Sequence, residues 1–209
     1  MSVRVSSPAV VALIRDGLDE LARLASATAS NADSIASFVD RYCDTLRRGG
    51  TLFFVGNGGS AADAQHMATE YVVRYRANRR PFAALALTTD TSLLTATGND
   101  LSFDEIFSRQ VEALARAGDL LIIHSTSGES RNLVCAIEAA RAKSVSVVAL
   151  LGKGGGRVKS LVDEAIVVDS RSTSHIQEIQ LAIQHLICEA VENRLLAENS
   201  GISAAGSAE

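Results

Sequence analysis

The hydrophobic positions follow two rhythms along the chain. The stretch "SSPAVVALIRDGLDELARLA" repeats apolar residues at helical spacing through Val10, Ile14, Leu18, Leu21 and Leu24, with Ser7 as N-cap and Pro8 at the first helical position. "NADSIASFVDRYCDTLRRGG" repeats the pattern through Ile35, Phe38, Tyr42 and Leu46, then ends in two arginines and two glycines. Cations at the negative end of a helix dipole followed by glycine form a stop signal, so a helical pair is expected over about 8–49. The rhythm then changes. "TLFFV" (51–55), "AALAL" (83–87), "LLIIH" (120–124), "VSVVALL" (145–151) and "AIVVD" (165–169) are short unbroken apolar runs. Strands covered on both faces read this way. Between them lie expected helices at 60–76, 103–116 and 130–142, a short one near 157–162, and a long one at about 175–197. Strand and helix in alternation define an α/β fold, here a doubly wound five-stranded parallel sheet. Residues 1–197 read as one domain, and the small polar tail 198–209 as disordered.

In such sheets ligands sit beyond the carboxyl ends of the strands, which directs attention to the loops there. The first is Gly56-Asn57-Gly58-Gly59-Ser60, running directly into a helix. Its glycines let backbone N–H groups converge on a ligand oxygen, although a tight strand-to-helix turn would have the same composition. It lacks the dinucleotide spacing G-x-G-x-x-G, since position 61 is Ala. The loop "STSGES", Ser125 to Ser130, places hydroxyls ahead of a helix start and suits a phosphate without needing lysine. Capping would need one such residue, not four. Glu129 within it would repel a dianion, so its side chain is expected to point away. A third loop ends in Asn99-Asp100, with Asp100 read as a helix cap or a contact to a sugar hydroxyl. Lys153 and Arg157 of "GKGGGR" read as solvent-exposed.

On the helix after the glycine loop, His66 and Glu70 stand four residues apart and so share one face, which Arg74 is expected to extend by another turn. An exposed ladder of charges would look the same without the loop before it. His185, in the mostly apolar "IQLAIQHLICEAV", needs a partner from elsewhere to act as more than a core residue.

A net charge of −4 argues against a broad basic surface for nucleic acid, and 4% aromatic content without Trp against base-stacking platforms. Charges at Arg4, Arg15 and Asp16 interrupt any signal-peptide core, and no apolar run reaches the length of a membrane span. Three widely spaced cysteines fit a reducing compartment, so the chain reads as cytoplasmic, with neither membrane nor nucleic acid as partner.

Taken together, "GNGGSAADAQH-(x3)-E", "GND-(x6)-FSRQVEALARAGD", "STSGES-(x)-N" and "IQE-(x6)-H" resemble the phosphoheptose isomerases of the sugar-isomerase (SIS) family, over nearly the whole chain from about residue 8 to 195. The resemblance implies the SIS fold and interconversion of D-sedoheptulose 7-phosphate and D-glycero-D-manno-heptose 7-phosphate through an enediol. It also implies a homotetramer with active sites at subunit interfaces and one zinc ion per subunit. By matched position the zinc ligands would be His66, Glu70, Gln177 and His185, with Glu70 and His185 as the acid/base pair. Substrate contacts would come from Asn57, Gly58, Gly59, Ser60, Glu70, Arg74, Asn99, Asp100, Ser125, Thr126, Ser127, Ser130 and Gln177. Gln177 and His185 are about 12 Å apart along a straight helix, so joint ligation requires Gln177 to precede the regular helix, or different subunits to supply the two. Ser174 stands where some relatives carry an aspartate. The rival reading is a non-catalytic SIS protein that binds the replication initiator or senses a sugar phosphate. The known initiator-binding paralogue lacks counterparts of Glu70 and His185, and both are present here.

Overall fold

The computed structural model describes residues 7–205, with side chains described as far as Glu198. Helix α1 (Pro8–Ala29) starts as its sequence predicts, Ser7 Oγ accepting the Val10 amide at 3.3 Å. Helix α2 (Ala32–Arg47) follows, and the chain then enters β1 (Leu52–Gly56). Next come α3 (Gly59–Val72), β2 (Ala84–Ala86), α4 (Thr91–Asp100), a 3₁₀ turn (Phe103–Glu105) and α5 (Ser108–Leu114). Then β3 (Leu120–Ser125), α6 (Arg131–Ala142), β4 (Ser146–Gly152), two 3₁₀ turns, β5 (Glu164–Val168) and α7 (Thr173–Ala205) complete the described chain.

All five strands pair in parallel in the order β2-β1-β3-β4-β5. Alternate residues of the four longer strands enter separate cores. Phe54, Ile122 and Leu150 join one with α1, α2, α3 and α7, while Val55, Ile123 and Leu151 join the other with α5 and α6. The sheet is therefore doubly wound. Its order reverses between β1 and β3, and the two loops leaving those strands flank that switch point.

Four expectations are corrected. Helix α3 stops at Val72, so Arg74 lies beyond it in the following turn and does not extend the His66–Glu70 face. The stretch 91–100, expected as loop, is helix α4: Asp90 caps it by accepting the Leu93 amide at 2.9 Å, which outweighs its threonines and Gly98. The expected 103–116 helix is split into the 3₁₀ turn and α5. The long helix begins two residues early and continues through Ala205, where a disordered tail was expected from 198. Glu198 is tied to Arg47 of α2 at its near end. The last four expected tail residues, 206–209, lie outside the described chain.

Candidate active site

Gly58 is the N-cap of α3, with φ +57°, a conformation that favours glycine. Gly59 needs the absence of a side chain for another reason: a Cβ there would stand 2.5 Å from the amide nitrogen of Gln177. The start of α3 and the early part of α7 are thus in direct contact. Ser60 is buried one residue further on. Across the switch point, Asn57 and Asn132 exchange side-chain amide hydrogen bonds of 2.9 and 2.8 Å, which ties the glycine loop to the first turn of α6.

The serine loop is partly self-supporting. Ser125 Oγ accepts the Gly128 amide at 3.0 Å, and Ser127 Oγ accepts the Glu129 amide at 3.3 Å. Ser130 occupies the N-cap position of α6 yet makes no side-chain capping bond, so ordinary capping does not account for it. Thr126, Ser127 and Ser130 are half-buried. Glu129 is turned away as expected: it is exposed, and its Oε1 accepts the Arg157 amide at 3.2 Å. Lys153 and Arg157 are exposed as expected. Asn99 and Asp100 form the end of α4, exposed and bonded to each other at 2.6 Å. Asp100 ends a helix there and caps none.

Two turns into α3 the titratable groups converge. His66 Nε2 lies 3.2 Å from Glu70 Oε1 and 3.2 Å from His185 Nε2, and one donor atom from each residue falls within 4.8 Å of the others. His185 also stacks on Tyr75, with ring centroids 5.8 Å apart. Burial holds the His185 imidazole below its ordinary pKa, nearby His66 adds to the effect, and Glu70 opposes it. The neutral ring is favoured at physiological pH. Tetrahedral zinc with nitrogen and oxygen donors at about 2.0–2.1 Å has ligand–ligand edges of roughly 3.3–3.4 Å, so the two 3.2 Å spacings fit such an ion. The fourth expected ligand, Gln177, is inside the regular helix at the mouth of α3, against Gly59. That removes the possibility that it precedes α7.

Beneath the site runs a buried polar chain with no local signal in the sequence. Gln180 donates to the carbonyl of Ser125 at 3.2 Å. The amide of Gln184, next in sequence to His185, donates to His124 Nε2 at 2.9 Å and meets the Tyr42 hydroxyl at 3.1 Å. Burial lowers the His124 pKa to about 4. The folded protein therefore takes up this proton only near pH 4, whereas the unfolded chain does so near pH 6.5. Stability should fall as pH is lowered through that window, by at most about 3 kcal/mol. Urea unfolding at pH 7 and pH 5 measures the difference, which His124→Gln should diminish.

The SIS domain family matches residues 18–152. Over 183 residues the chain is 50% identical to the phosphoheptose isomerase of Akkermansia muciniphila, covering 87% of this chain and 96% of that one. Over 164 residues it is 52% identical to the enzyme of the same name from Rhodospirillum rubrum, covering 78% and 87%. The structure of phosphoheptose isomerase from Neisseria gonorrhoeae superposes with a TM-score of 0.84 at 36% identity, over 88% of this chain and 99% of that one. The chain belongs to the SIS domain family, among relatives that are phosphoheptose isomerases.

Proposed function

We infer that this chain interconverts D-sedoheptulose 7-phosphate and D-glycero-D-manno-heptose 7-phosphate. The observation that carries the reading is the meeting of Glu70 and His185 from two different helices beside His66. A non-catalytic SIS protein has no use for that convergence.

Aldose–ketose isomerisation moves a proton between C1 and C2 through an enediol. Glu70 takes the carbon-bound proton, and the neutral His185 imidazole serves the adjacent oxygens. A carboxylate has two oxygens, so one can face His66 while the other faces the substrate carbon. The serine loop and the first-turn amides of α6 hold the phosphate, and Asn57, Gly58, Gly59 and Ser60 border the sugar chain. Asn99, Asp100 and Arg74 are read as further sugar contacts from the family resemblance. His66, Glu70 and His185 would hold zinc, and a fourth ligand from Gln177 would have to come from another subunit, because Gln177 of the same chain lies inside α7 eight residues from His185. When bound, the ion supplies Lewis-acid stabilisation of the enediolate charge.

The oligomer is read as a homotetramer with shared active sites. Supporting this, Val10, Val11, Leu13, Ile14 and Leu18 of α1 are 43–72% exposed although they continue the apolar stripe that Leu24 buries. Sedimentation as a monomer would remove that part of the reading. A cytoplasmic location is consistent with three free cysteines and with the absence, among described residues, of a helix long and apolar enough to cross a membrane. Purified protein incubated with sedoheptulose 7-phosphate, with and without chelator, tests the function. Aldose signals in the NMR spectrum that diminish on chelation are expected, and an unchanged ketose in zinc-supplemented protein would contradict the reading.

A further inference from the structure

Helix α3 presents one stripe, Gly59, Asp63, His66 and Glu70, at spacings of four, three and four residues. Gln177 stands over its first member and His185 meets its third. Asp63 alone in that stripe has no task. Its Oδ2 is buried and has no hydrogen-bond partner, an arrangement that costs free energy and asks for an explanation. Burial raises the pKa of this carboxyl, and the proximity of His66 works against that shift.

His66 has the complementary need. Its Nε2 faces Glu70 and His185. For that nitrogen to offer a lone pair to a cation, the ring proton must sit on Nδ1, and holding the exposed ring in one tautomer and orientation calls for a fixed acceptor of that proton. Carbonyls of the preceding helical turn are committed to the α3 backbone ladder. Residues three apart on a helix have Cβ atoms about 5–6 Å apart. Asp63 Oδ2 and His66 Nδ1 are each two bonds from Cβ, so a rotation of the Asp63 carboxyl can bring it within reach of Nδ1 while Nε2 keeps its place beside Glu70 and His185.

We propose that Asp63 is the positioning residue of His66: its carboxylate accepts the Nδ1–H, fixes the tautomer and aims the Nε2 lone pair at the space shared with Glu70 and His185. This inference rests on the metal-assisted isomerase reading above. It assigns Asp63 no contact with substrate, so its loss acts through His66.

The test uses the full-length protein and zinc itself. Zinc affinity of wild type, Asp63→Asn, Asp63→Ala and His66→Ala is measured by competition with a chromophoric chelator, and His66 is observed by nitrogen-15 NMR in the zinc-loaded protein. Wild type should show a slowly exchanging Nδ1–H on His66, absent from Asp63→Ala, with zinc affinity weakened about 10–100-fold. Asp63→Asn, which keeps a carbonyl acceptor of the same shape, should recover much of that loss, and in Asp63→Ala kcat should fall more than KM rises. Wild-type zinc affinity and an unchanged Nδ1–H in Asp63→Ala, beside lost affinity in His66→Ala, would overturn the role of Asp63 and leave the isomerase reading standing. Undiminished affinity in His66→Ala would overturn both the metal centre and the role built on it. A lowered melting temperature in Asp63→Ala with unchanged zinc affinity would show a structural residue only and overturn the proposal.

Discussion

Replacing Glu70 with Gln should lower kcat about 10²–10⁴-fold, and His185→Gln should do the same, with melting temperature and oligomeric state close to wild type. Glutamine matches glutamate in shape but cannot accept a proton from carbon. At position 185 it removes an imidazole whose burial favours the neutral ring and which comes to the trio from a second helix. Both side chains are only partly buried, so neither change opens a core cavity. Steady-state kinetics with sedoheptulose 7-phosphate, read beside thermal melting, separates lost chemistry from lost folding. Near-wild-type rates in either variant would remove the acid/base assignment.

The largest expected effect on stability comes from a residue that touches no substrate. Glu192 of α7 accepts the backbone amides of Tyr75, Arg76 and Ala77 at 3.3, 3.0 and 2.8 Å, and pairs with Arg79 at 2.8 Å. Burial works to raise its pKa, but the three amides and Arg79 outweigh burial and leave it below the usual glutamate value. Arg79 in turn donates to the carbonyls of Glu70 and Tyr71 at 2.9 Å each, and its guanidinium lies 4.0 Å over the Phe82 ring. Side-chain exposures of 1% and 3% make this a fully desolvated pair. Removing one partner of such a pair strands the other charge and costs about 3–5 kcal/mol. Glu192→Ala should therefore lower the melting temperature by roughly 6–20 °C for a chain of this size. Because Arg79 anchors the carbonyl of Glu70 itself, residual folded Glu192→Ala should also turn over more slowly. A shift of only a degree or two would mean that the pair contributes little beyond what water supplies.

What the sequence showed and what it hid divide along a physical line. Strands buried on both faces leave unbroken apolar runs, so all five were legible within a residue or two of their ends, β2 being shorter than its run. The glycine loop, the serine loop and the His66–Glu70 spacing are local patterns, and His185 entered through its place in a motif. Local composition misled where a cap decided the outcome: Asp90 makes a helix of threonine-rich sequence, and α3 ends before Arg74. Pairings between residues distant in sequence leave no period to read. The Gln184–His124–Tyr42 chain, the Asn57–Asn132 exchange and the Glu192–Arg79 pair all join segments dozens of residues apart or more. The unpartnered oxygen of Asp63 is likewise visible only after α3 has been packed.

If Glu70 moves a proton between C1 and C2 of a phosphorylated heptose, the reaction run in deuterium oxide should exchange at least part of that proton with solvent while the carboxyl holds it. Wild-type protein should form aldoheptose 7-phosphate carrying deuterium at C2, seen by NMR, and Glu70→Gln should neither form it nor exchange the ketose. Product lacking deuterium at C2, or deuterium entering the Glu70→Gln reaction as fast as in wild type, would contradict the account.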